Sequence, residues 1–290
     1  MIVGLSDTAE AIGETIKYAF SWLRDSSAWK YYAILLLLQI VFGAVLFTVV
    51  IGVFLAAGIG AVLSSGLIAS RALNASAIGS TANPITALLL PVLSVIAFVI
   101  VLIVVYAIAN AFVSAKVLMH AMNSLGVRTP ALTTYKFFRL ILLNILVAIT
   151  ALFSLYSLRY AIVLIAAVIL VAMGLFIAPG VQLLGFILLF FYAIIVVYNA
   201  IRLSAAPQAF LSKEIGKSAA IRESLDLTRG NALEVSLITL VVGIIAGAIA
   251  GIASAVPLIG ALILFALLPG LQVTQVYSQA KIYGLLLKQK

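Results

Sequence analysis

Between Ser26 and Lys213 the chain contains no acidic residue, and long apolar runs fill most of that stretch. Tyr31 to about Leu63 and Ile85 to about Met122 are the first two, each longer than the roughly 20 residues that carry a helix across a bilayer. Of the 290 residues, 66% are apolar and 9% charged. Ordinary soluble domains have about 45–50% and about 25%, and a water-soluble fold of this size could not hide the excess. The expected fold class is all-α, a polytopic integral membrane helical bundle of about six crossings, with seven as the alternative count.

The charges set the expected orientation. There are 17 Lys and Arg against 8 Asp and Glu. On a soluble domain that excess would raise nucleic acid as a partner; here it reads as the positive charge that gathers on cytoplasmic flanks of membrane helices, and no nucleic acid is expected. Trp22, Arg24, Trp29 and Lys30 form an interfacial anchor before the first run, and Ser64 to Pro84 reads as the longest loop. Leu140 to Leu158 reads as a third crossing. Ala161 to Ala178 and Val181 to Ile201 follow, separated by Pro179 and Gly180. If both crossed, the basic segment after Arg202 would face the wrong side, so one net crossing is expected there, with the 161–180 piece at the outer face or re-entrant. Ala232 to Val256 and Leu258 to about Tyr283 complete the six, turning at Pro257 to Gly260. This leaves only Arg71 and Arg159 as outside basic residues, with both termini cytoplasmic in a cell membrane. The N-terminus lacks a basic start followed by an apolar core, so no cleavable signal peptide is expected. The absence of cysteine excludes disulfides, Cys-ligated metal and thiol nucleophiles, and with the Ala/Ile/Val/Leu-heavy composition it fits an archaeal or thermophilic source.

A short self-similarity recurs before each pair of runs: Ala11 to Ile16 (AIGETI), Ala220 to Leu225 (AIRESL) and, more weakly, Pro130 to Tyr135 (PALTTY). On a helix, Ala11, Ile12, Thr15, Tyr18, Ala19 and Trp22 share one face, and Glu10, Glu14, Lys17 and Arg24 the other. Ala220, Ile221, Ser224, Leu227 and Thr228 separate in the same way from Arg222, Glu223, Asp226 and Arg229. Three cytoplasmic amphipathic helices lying in the interface are therefore expected, each opening one unit of a single membrane domain (5–123, 124–211, 212–290). Thr129 and Pro130 read as N-cap and first residue of the middle one, and Arg222 with Asp226 as an i,i+4 ion pair.

Within Tyr198 to Asn231, the order Arg202-Leu203-Ser204, Pro207, Glu214, Gly216, Ala220, Ser224 and Thr228-Arg229-Gly230-Asn231 resembles the membrane domain of glycerophosphoryl diester phosphodiesterases. It is similar also to multi-pass YciC-like proteins of archaea and bacteria. In phosphodiesterases with this membrane part, the resemblance implies a catalytic TIM barrel as a separate soluble domain. This chain has no segment to hold one, so the activity is not carried over.

No acid falls inside a crossing, whereas ion-coupled transport and intramembrane metal catalysis use buried carboxylates or histidine clusters. His120 is the sole histidine and is expected in a structural or interfacial role beside Lys116. No catalytic, cofactor-binding or metal residues are assigned, and no cofactor is expected. Candidate lipid or partner contacts are Arg202, Glu214, Arg222, Asp226, Arg229 and Asn231, with Arg202 expected to snorkel to the interface or pair with an acid of the 214–226 segment. Gly243, Gly247 and Gly251 form a double GxxxG suited to close helix packing within the chain or in a homo-oligomer or membrane protein complex. Gln272, Gln275 and Gln279 share a face of the last crossing, as bonding partners for groups such as Asn199 or as the wall of a vestibule. Asn74 heads the only N-x-S/T sequon that lacks Pro at x, a candidate glycosylation site.

These features point to a non-enzymatic membrane module that interacts with the lipid bilayer, through anionic lipid head groups, or with a protein partner. The alternative is a transporter or permease for a small or amphiphilic molecule, not coupled to protons or ions through buried carboxylates. A third reading, a head-group enzyme, would have to draw on Glu214, Glu223 and His120.

Overall fold

A computed structural model describes residues 5–73, 84–153, 158–176, 179–255 and 260–288 of the chain. All regular structure among these residues is helical. The cause is general: hydrocarbon supplies no partner for backbone N–H and C=O groups, so each apolar segment must satisfy them internally. In chain order the helices are α1 (Leu5–Ala19), a 3-10 turn (Ser21–Arg24), α2 (Ser26–Leu73), α3 (Pro84–Ser124), α4 (Thr134–Phe153), α5 (Leu158–Phe176), α6 (Pro179–Leu203), α7 (Ala206–Lys213), α8 (Lys217–Leu227), α9 (Ala232–Ser254) and α10 (Gly260–Lys288).

Among the described residues, six segments are long and apolar enough to cross a membrane: Ser26–Gly52, Leu93–Ser124, Thr134–Leu152, Val181–Lys213, Ala232–Ser254 and Gly260–Lys288. Their outward side chains agree with that reading. Phe47 and Phe190 are each 66% exposed, and Ile252 72%. Apolar surface of this extent marks contact with a membrane or with other protein rather than with water, and on helices of this length and composition it fits lipid tails. The protein is a multi-pass helical membrane protein.

The contacts divide the chain into two compact units. One, Ala33–Val113, contains most of α2 and the greater part of α3, with the Phe42 and Tyr106 rings 4.3 Å apart. The other comprises Met1–Tyr32 and Ser114–Lys290. In it α1 packs on α10 and α9, α4 on α6, α7 and α8, and α5 on α6. The α5–α6 contact is close because Gly185 has no side chain: a Cβ there would lie 2.7 Å from Cγ2 of Val171.

Several expectations change at the level of elements. Helix α2 continues to Leu73, through the first ten residues of the expected loop. Ser64 to Leu73 contains no proline and is largely Ala, Leu and Ser, residues a helix tolerates. The middle amphipathic helix does not form: residues 127–133 are irregular and α4 begins at Thr134. Thr133 Oγ1 accepts the Lys136 N–H at 3.2 Å, so Thr133 rather than Thr129 caps the helix. Helices α1 and α8 keep their expected faces, with Thr15 and Ala19 buried on the first and Ala220, Ile221, Ser224 and Leu227 on the second; Trp22 and Thr228, just past their ends, are buried as well. Protein, not the bilayer interface, covers those faces.

The ends are shaped by left-handed residues. Gly126, at φ 80°, closes α3 with Val127 N–H donating to the Met122 carbonyl at 3.0 Å. Gly230, at φ 88°, turns α8 into α9, and Glu214, at φ 55°, ends α7. Asn74 and the turn residues 256–259 lie outside the described residues.

Candidate functional site

The polar side chains of the larger unit collect where α1, α7, α8 and the ends of the long helices meet. Asp25 is the first hub. It is the N-cap of α2: its Oδ1 accepts the Ser27 N–H at 2.9 Å, and its carbonyl accepts those of Ala28 and Trp29. Its other oxygen, Oδ2, lies 2.6 Å from His120 Nε2 on α3 and accepts the Tyr277 hydroxyl of α10 at 3.2 Å. A carboxylate only accepts, so Nε2 is the ring nitrogen that carries the hydrogen. Burial pushes the Asp25 carboxyl up, but the bonds from His120, Ser27 and Tyr277 outweigh it and hold the group below its ordinary value. Around this hub, Trp22 Nε1 donates to Thr274 Oγ1 at 2.8 Å, and the Tyr18 hydroxyl donates to the Ala121 carbonyl at 2.6 Å. Burial raises the Tyr18 phenol. Sequence reasoning paired His120 with Lys116 and missed Asp25; the available signal was an Asp directly before Ser26 at the head of a long apolar helix.

The segment from Arg202 to Thr228 forms the second hub. Arg202 lies at the C-terminal end of α6, where carbonyls lack partners. Its carbonyl accepts hydrogen bonds from Ser224 Oγ of α8 at 2.7 Å and from Oγ1 of Thr228, the C-cap of that helix, at 3.2 Å. Its guanidinium donates to the Leu225 carbonyl at 3.4 Å and stands over the Tyr198 ring at 5.9 Å. Of the two expected roles, pairing with an acid of the 214–226 segment is not seen: the Arg202 guanidinium meets a backbone carbonyl and a ring instead. Buried Gln208, with its amide turned to donate, reaches the Ser204 carbonyl at 2.7 Å and that of Ala205 at 3.2 Å. Arg202, Ser224 and Thr228 thus do a structural task, closing α6 against α8.

Charges around that hub are partly compensated. Lys136 Nζ lies 3.3 Å from Glu214, Lys213 Nζ 2.6 Å from Glu223, and Lys281 Nζ 2.8 Å from Glu14. The hydrogen bond and charge of Lys281 hold the Glu14 carboxyl low. Arg222 and Asp226 do not form the expected ion pair; both side chains stand in solvent, where such a pair gains little. Arg229 is exposed as well, and Asn231 is half-buried at the start of α9. Lys136 and Arg139 of α4 border a cleft of about 280 Å³ with Thr133, Tyr135, Phe210 and Glu214. The Arg139 guanidinium stands 5.5 Å from the Tyr135 ring centroid and 5.7 Å from that of Phe210, and forms no ion pair among the described residues.

The Lys136–Glu214 pair joins the start of α4 to the end of α7.

The glutamines of α10 diverge. Gln272 donates to Ser114 Oγ at 2.7 Å, Gln275 is exposed, and Gln279 lines a groove of about 580 Å³ between α6, α9 and α10. None bonds Asn199, whose Nδ2 is buried without a partner, as is Arg202 Nε. A Cβ on Gly243, Gly247 or Gly251 would meet no atom within 4 Å. Among the described residues no group of three or more His, Cys, Asp or Glu stands where it could hold a metal ion. Compared with family models, curated proteins and solved structures, the chain matches none.

Proposed function

We propose that the protein is a non-catalytic membrane module that binds anionic lipid head groups along its basic end, the end that faces the cytoplasm. The observation that carries this reading is the Arg139 cleft: a guanidinium held between two aromatic rings, beside Lys136, with no carboxylate of its own. Arginine presents five donors in a planar fork matched to phosphate. The exposed Arg222 and Arg229 on α8 extend the positive surface. Because the apolar faces of α1 and α8 are spent on protein contacts, the attraction is electrostatic rather than insertion of those helices. The resemblance of 198–231 to the membrane part of phosphodiesterases and YciC-like proteins is compatible with such a module and carries no catalysis with it.

Native mass spectrometry with added phosphatidylglycerol tests this. Wild type is expected to retain the lipid, and retention is expected to fall in the triple variant Arg139→Gln, Arg222→Glu, Arg229→Glu. Equal retention by both proteins overturns the reading. The alternative, a transporter for an amphiphilic molecule, draws on the groove that reaches Gln279. The Gln272–Ser114 bond weighs against a continuous vestibule along α10.

A further inference from the structure

The groove between α6, α9 and α10 is graded in polarity along its length. At its shallow end stand Ser204, just past the end of α6, and Ser236, four residues into α9. Ile194, ten residues before Ser204, lies about 15 Å deeper at 1.5 Å per residue. Ile194, Val197 and Leu240 are each more than half exposed, so the deep end opens sideways to hydrocarbon.

The hydrogen-bonding capacity of the shallow end is specific. Ser204 Oγ donates to the Ile201 carbonyl at 2.7 Å and Ser236 Oγ to the Ala232 carbonyl at 2.6 Å. Each hydroxyl proton is committed to its own helix, so these groups offer lone pairs to an occupant. Gln279 makes no hydrogen bond among the described residues, leaving two N–H donors and a carbonyl acceptor facing a mostly apolar space. No charged side chain lines the groove. An anionic head would thus be desolvated without a cation, which is strongly unfavourable. The volume of about 580 Å³ falls within the roughly 300–1,000 Å³ of small-molecule sites.

We propose that this groove binds a neutral single-chain lipid bearing hydroxyl and carbonyl groups, of the monoacylglycerol class, with its head at Gln279 and Ser236 and its chain leaving past Ile194 and Leu240. The site is separate from the Arg139 cleft and does not depend on it.

The test uses the full chain in nanodiscs and a monoacylglycerol carrying a diazirine in its tail, with adducts mapped by mass spectrometry. Expected are saturable adducts on α6 and α9 near Ile194 and Leu240, displaced by unlabelled monoacylglycerol and not by fatty acid or phosphatidylglycerol. Gln279→Leu is expected to raise the competing concentration about tenfold, the worth of one to two net hydrogen bonds. Adducts spread without saturation over all lipid-facing helices, or equal displacement by the charged lipids, would overturn the proposal on wild-type protein alone. Loss of phosphatidylglycerol binding at the Arg139 cleft with the adduct pattern intact would separate the two sites.

Discussion

Asp25 does two tasks that substitution can separate. As N-cap it holds the first turn of α2, a role Asn fills as well as Asp. As a carboxylate it accepts hydrogen bonds from His120 and Tyr277, and hydrogen bonds to a charged group contribute about 1.5–3 kcal/mol. Asp25→Asn is therefore expected to lower stability by about 1–3 kcal/mol, and Asp25→Ala by about 1 kcal/mol more through the lost cap. Thermal unfolding of the detergent-solubilised protein reads both; equal loss in the two variants would remove the cap from the account. The same carboxyl gives a pH dependence. Its folded value is depressed, so its contribution is complete at neutral pH and declines as pH falls below the ordinary 3.8 through the folded value. Melting temperatures across that range should fall more steeply for wild type than for Asp25→Asn. None of this was legible from residue spacing, because the partners lie 95 and 252 positions away along the chain.

At the scale of elements, glycine shows the limit of reading motifs. The double GxxxG of α9 is the pattern a sequence presents as a packing face, yet an added Cβ at Gly247 meets open space. Gly185, in no motif, is where α5 and α6 touch, and at Gly270 on α10 an added Cβ would lie 3.3 Å from the Trp22 ring. Gly185→Leu is expected to destabilise by about 1–3 kcal/mol or more through overpacking, whereas Gly247→Ala should be neutral or slightly stabilising. Unfolding in a fixed detergent compares them; a larger loss at position 247 would mean that a second chain packs there. The long apolar helices were legible because composition and length alone specify them. The middle surface helix was misread because six similar residues say nothing about which of two threonines caps. The faces of α1 and α8 followed from helical periodicity, but what covers them did not, since periodicity does not distinguish lipid from protein.

For the whole molecule, the distribution of charge carried most of the readable information. The acids outside the apolar stretch mark the elements that gather at one end, and the Lys136–Glu214 contact joins two segments that positive charge alone had assigned to the same side. Single cysteines at positions 71, 159 and 213, introduced into a chain that lacks any, test the sidedness. Position 213 is expected to react only with reagent on the cytoplasmic side; labelling from outside would overturn the six-crossing arrangement with cytoplasmic termini. The Arg139 cleft and the Gln279 groove were not legible, since each is assembled from helices distant in sequence.

The bonds from Trp22 and Asp25 to Thr274 and Tyr277 also set an order of events during synthesis. Two groups just before α2 have their partners in α10, 252 residues later in the chain. Until α10 is inserted, Trp22 lacks the acceptor for its indole and Asp25 one of its donors, and the close fit at Gly270 does not exist. A further 252 residues must therefore be made while the contacts of Trp22 and Asp25 are incomplete. A polypeptide halted after α9 should be degraded quickly, even though most of its membrane helices are already present.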